Sequence, residues 1–287
     1  MSLEALLPSA IDGLMLGFVY GLAAMGLTLI FGVMKVINLS HGPVIALGMF
    51  AVFLLSSSFG INPYLGVLAA AVIGLLFGTL IYFVAVDRVI NAPELTTLLA
   101  TFSVNLMIIG VGTVLFTTSP RSVDIDLGAL RGSGVTILGT HAVAVVIAVL
   151  AAAALYGFLF RTRVGKQVRA VANNRAAAEL MGIDSRRMLA LAFGIGTALA
   201  MTSGALLSTL FAFTILSGGT YELKSFVIVV LGGLGNPTGA LVGGLVIGLL
   251  EGVLTVFIPV AWVPVFEYLI FLVMLQLRPA GLLGSRA

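Results

Sequence analysis

Long apolar runs separated by short polar breaks set the pattern of this chain. Six runs, 11–33, 64–86, 98–116, 141–160, 188–215 and 239–258, are long enough to cross a bilayer as helices, which takes about 20 residues. Three more, 43–55, 226–234 and 262–277, are shorter. The last can span where the bilayer thins or its neighbours tilt. The first two each follow a polar break, Asn38-Leu39-Ser40-His41-Gly42 and Tyr221-Glu222-Leu223-Lys224-Ser225. Placing Asn38 on Glu222, an offset of 184, sets Leu39 on Leu223, Leu47 on Leu231 and Gly48 on Gly232. Both windows share one plan: a polar start, a short apolar run, a glycine. Short or interrupted apolar segments in corresponding places point to a transport site. The pattern predicts an all-α, polytopic transmembrane bundle of about eight or nine spans or half-spans, a single domain over 1–287, with broken helices in an internal repeat.

Composition agrees. Hydrophobic residues make up 60% of the chain and charged residues 9%, against about 25% charged in soluble domains. Such a chain cannot cover a water-facing surface. The formal charge of +3 is too small to argue for nucleic acid. Cysteine is absent, which excludes disulfides, thiolate metal sites and Cys nucleophiles. His41 and His141 lack metal-ligand spacing, so no metal site is predicted. Residues 1–13 carry no basic stretch and no small-residue cleavage site, so no cleaved signal is expected.

Charge adds orientation. Seven of the 14 Lys and Arg residues lie within 161–187: Arg161, Arg163, Lys166, Arg169, Arg175, Arg186 and Arg187. Basic residues near span ends stay cytoplasmic, so this segment is predicted inside. Counting spans outward from it puts 119–139 and 259–264 outside. It puts 87–94, 232–237 and the tail from Arg278, with Arg286, inside. The N-terminus then lies outside, or inside if 43–55 returns without crossing.

Glycine is abundant, 35 residues against the usual 7% or so. Gly13, Gly17 and Gly21 share one helix face, as do Gly244, Gly248 and Gly252, and Gly74 with Gly78. Such faces let helices approach closely, within one chain or between subunits.

The basic segment also carries local helix signals. Asn173 or Asn174 can cap a helix, Gly182 can stop it, and Asp184 or Ser185 can cap the next. One short surface helix over 175–181 is expected between two long spans. The outer segment, with Arg121, Asp124, Asp126, Arg131 and glycines at 128, 132 and 134, is a docking surface or a connector.

The 175–182 stretch resembles the Glu-Ala-Ala-x-x-x-Gly signature of ATP-binding-cassette importer permeases, with Ala176 where that family often has Glu. In those proteins the short helix docks in a cleft of the ATPase subunit. The resemblance assigns Arg175, Ala176, Ala177, Ala178, Glu179 and Gly182 to ATPase coupling. A second resemblance is sharper. Gly26-Leu27-Thr28-Leu29-Ile30-Phe31-Gly32-Val33-Met34, then Val36-Ile37-Asn38-Leu39-Ser40-His41-Gly42, looks like the membrane permease of the branched-chain amino acid importer. Pro43 departs from it, since relatives often carry an acidic residue there. Leu231-Gly232-Gly233-Leu234-Gly235-Asn236-Pro237, with Gly239, Ala240 and Gly243, is similar too, as is the ending Arg278-Pro279-x-Gly281-Leu282-x-Gly284. The likeness runs from about Gly13 to the C-terminus.

The resemblance implies a bacterial inner-membrane, multi-pass permease that moves branched-chain amino acids inward by alternating access. It implies two ATP-binding-cassette ATPase subunits holding ATP and Mg, a second permease chain (a relative or a copy), an external substrate-binding protein, and surrounding lipid. This chain has no Gly-x-x-x-x-Gly-Lys-Ser/Thr phosphate loop, so it is not itself the ATPase; no enzyme activity and no cofactor are expected in it, the ATPase activity belonging to the partner subunits. Urea and short amides are alternative cargoes, carried by close relatives of that family.

A zwitterion crossing hydrocarbon needs polar partners, and polar groups at membrane depth tend to face an internal cavity. The break at 38–42 would set a half-helix N-terminus beside the path, and such N-termini favour a carboxylate. Ser40 and His41 are the first pathway candidates, with Asn38 as a cap and Glu222 and Lys224 as charged counterparts. Asn105, Glu251 and Glu267 are further polar positions. The competing account has Asn38 and Ser40 satisfying broken backbone and His41 donating to a carbonyl. A self-contained secondary transporter or channel is the rival class, since half-helices suit it equally. An intramembrane enzyme lacks a convincing nucleophile–base pair.

Overall fold

The computed structural model describes residues 5–125, 127–132, 135–278 and 280–283. Asp126, Gly134, Pro279, Gly284 and Arg286 lie outside the described residues. The helices are α1 (Leu6–Met34), α2 (His41–Phe59), α3 (Pro63–Ile81), α4 (Glu94–Phe116), α5 (Gly139–Arg161), α6 (Arg163–Asn173), α7 (Arg175–Leu180), α8 (Ser185–Ser208), α9 (Ser217–Gly232), α10 (Pro237–Phe257) and α11 (Val263–Leu277). A π-helical turn, Tyr82–Val86, extends α3. Eight helical segments are long and apolar enough to cross a membrane, as the polytopic bundle requires. Residues 129–132 and 135–138 add one feature the all-α expectation lacked, a small antiparallel hairpin of β1 (Ala129–Gly132) and β2 (Val135–Leu138).

Two helices form the centre. The spanning windows of α1 and α8 are 72% and 83% buried, whereas those of α4 and α11 are 22% and 11% buried and lie at the outside of the bundle. Close packing of α1 explains its glycines. A Cβ at Gly17 would lie 2.7 Å from the Gly244 carbonyl oxygen, and one at Gly13 would lie 2.8 Å from the Gly252 Cα. Gly21 meets Leu241, and Gly248 and Gly252 return the contacts to Gly13. The two glycine ladders therefore serve one interface, α1 on α10, within the chain. Gly74 and Gly78 likewise seat α3 on Thr197 and Ala198 of α8.

The interrupted segments differ from expectation. The 43–55 run belongs to a 19-residue helix, because Ser56, Ser57 and Ser58 continue it as far as Gly60, which ends it at φ 65°. The 226–234 run starts earlier, at Ser217, so Tyr221–Ser225 is helical and not a break. The true break is 209–216, closed where the Ser217 hydroxyl accepts the Thr214 N–H at 2.9 Å. The offset of 184 thus pairs a loop residue, Asn38, with one inside α9. What the structure does set together is the starts of α2 and α9. A Cβ at Gly42 would lie 2.5 Å from the Gly218 carbonyl oxygen, and Gly218 meets Gly42 in return.

The bundle has two distinct ends. At one, Asp87 meets Arg186, the Leu282 N–H donates to Leu231 O at 2.7 Å, and Gly235 packs on Gly32. At the other, Arg121 pairs its backbone with Phe213, and Ser9 meets Gly252. The start of α1 and the hairpin share that second end.

Candidate functional site

The segment before α2 folds around Asn38. Its Oδ1 accepts the Ser40 N–H at 3.1 Å and the Ser40 hydroxyl at 2.7 Å. His41 places Nε2 3.0 Å from Ala23 O. A carbonyl only accepts, so Nε2 carries the proton, and Nδ1 is left without a partner. All three side chains are buried. Helix α4 clamps the same segment from outside. The Thr101 hydroxyl accepts the Leu39 N–H at 3.2 Å and lies 3.2 Å from Ile37 O and 3.0 Å from Leu98 O. Asn105 donates Nδ2–H to Leu39 O at 2.5 Å.

Glu222 closes this polar cluster from α9. Its Oε2 lies 3.4 Å from Asn105 Nδ2 and against the Gly42 backbone. Its Oε1 has no partner, although the residue is only 8% exposed. Gly42 is what admits it, since a Cβ there would sit 2.6 Å from the Glu222 Cβ. The start of α2 has no side-chain cap of its own, and a carboxylate from α9 fits the buried backbone amides there.

Lys224 stands about 200° further round α9, as two residues of helix dictate. It faces α10 and α11, not Gly42. Its Nζ lies 2.7 Å from Glu251 Oε2, 3.3 Å from Glu267 Oε1 and 4.4 Å from the centre of the Tyr20 ring. The Glu267 contact is an ion pair without hydrogen-bond geometry. The two charged residues taken together in the sequence therefore sit in separate clusters. Glu251 and Glu267 stood out as polar positions, but nothing local pairs them with Lys224. Thr101 and Tyr20 were missed. Thr101 has a signal in hindsight, because it lies four residues before Asn105 on the same helix face.

The basic end carries a second constellation. Asn174 accepts the Ala177 N–H at 3.0 Å and starts α7, Gly182 follows it at φ 79°, and Asp184 caps α8 by accepting the Arg187 N–H. The segment holds two helices, because Thr162 also caps α6 by accepting the Gly165 N–H at 2.9 Å. Arg175 donates from Nε to Glu179 at 3.1 Å and to the Ser185 hydroxyl at 3.2 Å, and from Nη1 to Asn91 at 3.0 Å. Ser185 also donates to Glu179. That hydroxyl, and then Arg175, hold the Glu179 carboxyl below the ordinary range. Hydrogen bonds from Arg186 do the same for Asp87, with Nη2–Oδ2 at 2.5 Å, and the guanidinium lies 5.4 Å from the Phe83 ring centre. Leu180, the last residue of α7, and Met181 just after it are 89% and 82% exposed. An apolar groove of about 650 Å³ between α3, α5 and α8 lies away from all these polar groups.

The family model described as the permease component of the branched-chain amino acid transport system matches residues 9–276. The chain is 28% identical to the high-affinity branched-chain amino acid transport system permease protein LivH of Salmonella typhimurium, and 29% identical to LivH of Escherichia coli K12. Each match covers 95% of this chain and 94% of the relative. It is 27% identical to BraD of Pseudomonas aeruginosa, a permease protein of the same description, over 97% of this chain and 95% of that one. No solved structure matches it significantly. A bundle of apolar helices, a polar cluster where two helices start, and a family match over nearly its whole length lead to one conclusion. The chain belongs to the permease family of the branched-chain amino acid transport system and is a multi-pass membrane permease component.

Proposed function

We propose that this chain is the permease subunit of an ATP-driven importer that moves branched-chain amino acids inward by alternating access. The observation that carries the ATP-driven part is α7. A six-residue helix, capped at one end and stopped by a left-handed glycine at the other, presents two nearly bare apolar side chains beyond the bundle. Exposed apolar side chains rimmed by charge suit a partner protein. The partners are two ATPase subunits holding ATP and Mg, a second permease chain and an external binding protein. Asn38, Ser40, His41 and Glu222 border the pathway. Lys224 supports α9 from behind. The basic end, with 161–187 and the tail, faces the cytoplasm.

Reconstitution tests this reading. The purified chain alone in liposomes, without ATP, takes up no labelled leucine. With ATPase subunits, partner permease, binding protein and ATP inside, it does. Uptake by the chain alone would sink the importer reading in favour of a self-contained transporter. Competition by leucine against urea at the binding protein then sets the cargo.

A further inference from the structure

We propose that α4 is the lever that carries movement of α7 to the segment before α2. The inference rests on α7 being the ATPase-docking helix and names the route its motion takes. Arg175 ties α7 to the turn between α3 and α4 through Asn91, at 3.0 Å. That turn is held to α4 because Thr97 donates its hydroxyl to Val89 O at 3.1 Å. Four residues on, Thr101 holds Ile37 and Leu39. Four more on, Asn105 holds Leu39 O and reaches Glu222.

Thr97, Thr101 and Asn105 are spaced by four, so they form one stripe on α4 over about 12 Å of axis. The other faces of this helix carry Leu95, Leu99, Phe102 and Leu106, all exposed on the outside of the bundle. Each residue of the stripe bonds to backbone outside regular helix: the 87–93 turn at one end and the 37–39 segment at the other. Packing alone would be served by apolar residues, as it is along most of α4. A stripe that grips non-helical backbone at both ends lets a rigid rod move two soft segments together. The first segment is fixed to α7, and the second shapes the start of α2 beside Glu222.

The test uses the whole reconstituted complex with Asn91→Ala, Thr101→Val, Thr101→Ser and the double variant Asn91→Ala/Thr101→Val. Asn91 is exposed, so its variant tests the route even if Thr101→Val fails to assemble. The single variants should assemble and hydrolyse ATP at the basal rate. Stimulation of hydrolysis by leucine-loaded binding protein, and uptake with it, should fall by about tenfold, a usual size for coupling between sites. Thr101→Ser, which keeps the hydroxyl, should recover both. The double variant should be no worse than the worse single, because both break one chain. Full stimulation in Asn91→Ala, or losses that multiply in the double variant, would overturn the lever. A wild-type complex without ATP-dependent uptake would overturn the importer reading instead.

Discussion

Two residues apart on α9, Glu222 and Lys224 have different surroundings because helical geometry sends them to different neighbours. Glu222 sits where a side chain at position 42 would be, and its free oxygen leaves an acceptor beside the break. Lys224 sits between two carboxylates from α10 and α11, with Tyr20 beneath it. Charges at this depth persist only in company. Removing one member of a buried group strands the others, at about 3–5 kcal/mol in soluble proteins. Lys224→Met should therefore cost on the order of 3 kcal/mol, because Glu251 and Glu267 then face each other without a cation. Adding Glu251→Gln and Glu267→Gln should restore most of the loss. Thermal unfolding in detergent measures both. A Lys224→Met protein as stable as the parent would mean that the cluster does not hold the three helices.

Helix α7 is too short to be stable alone, and its Arg175–Glu179 pair is half exposed, a kind of pair worth little. Its cap and its packing hold it. Gly182 is a poor place to probe docking, since φ 79° strains any other residue. Ala177 is better: it is exposed, and arginine is nearly as good a helix former. Ala177→Arg should leave the unfolding temperature unchanged and abolish co-purification of the ATPase subunits. Normal pull-down with this variant would move the docking surface elsewhere. This helix was legible in the sequence because Asn174, Gly182 and Asp184 act within four residues of themselves. The start of α9 was not. Tyr221-Glu222-Leu223-Lys224-Ser225 is polar enough to read as a break, and what keeps it helical is distant. Asn105 is 117 residues from Glu222, and Glu251 is 27 from Lys224. The shared start of α2 and α9 was invisible for the same reason, since Gly42 meets Gly218 only in three dimensions. The hairpin at 129–138 escaped because a four-residue strand gives almost no periodic signal.

Across the whole molecule, the placement of charge can be set against the two ends of the bundle. Lys35, Arg88, the seven basic residues of 161–187 and Arg278 lie at one end, ten of the 14 in the chain. Arg121 lies at the other, with the start of α1. Following the chain from end to end counts nine passes, since α9 turns at the basic end although it has only 16 residues. An odd count places the start of α1 and the tail on opposite faces. It also argues that 41–59 crosses and does not return, because Gly60 leads directly into α3, whose π-helical extension runs to Val86, next to Asp87 and its partner Arg186. The cysteine-free sequence makes this directly measurable. Single cysteines at Asn91, Lys166 and Leu283 should react with an impermeant maleimide only from the cytoplasmic face. Single cysteines at Ser119 and Val260 should react only from outside. Labelling of Lys166→Cys from outside would invert the whole molecule and remove α7 from reach of any cytoplasmic ATPase. Labelling of Asn91→Cys and Lys166→Cys from opposite faces would break the Arg175–Asn91 tie, and with it the path from the basic end to the start of α2.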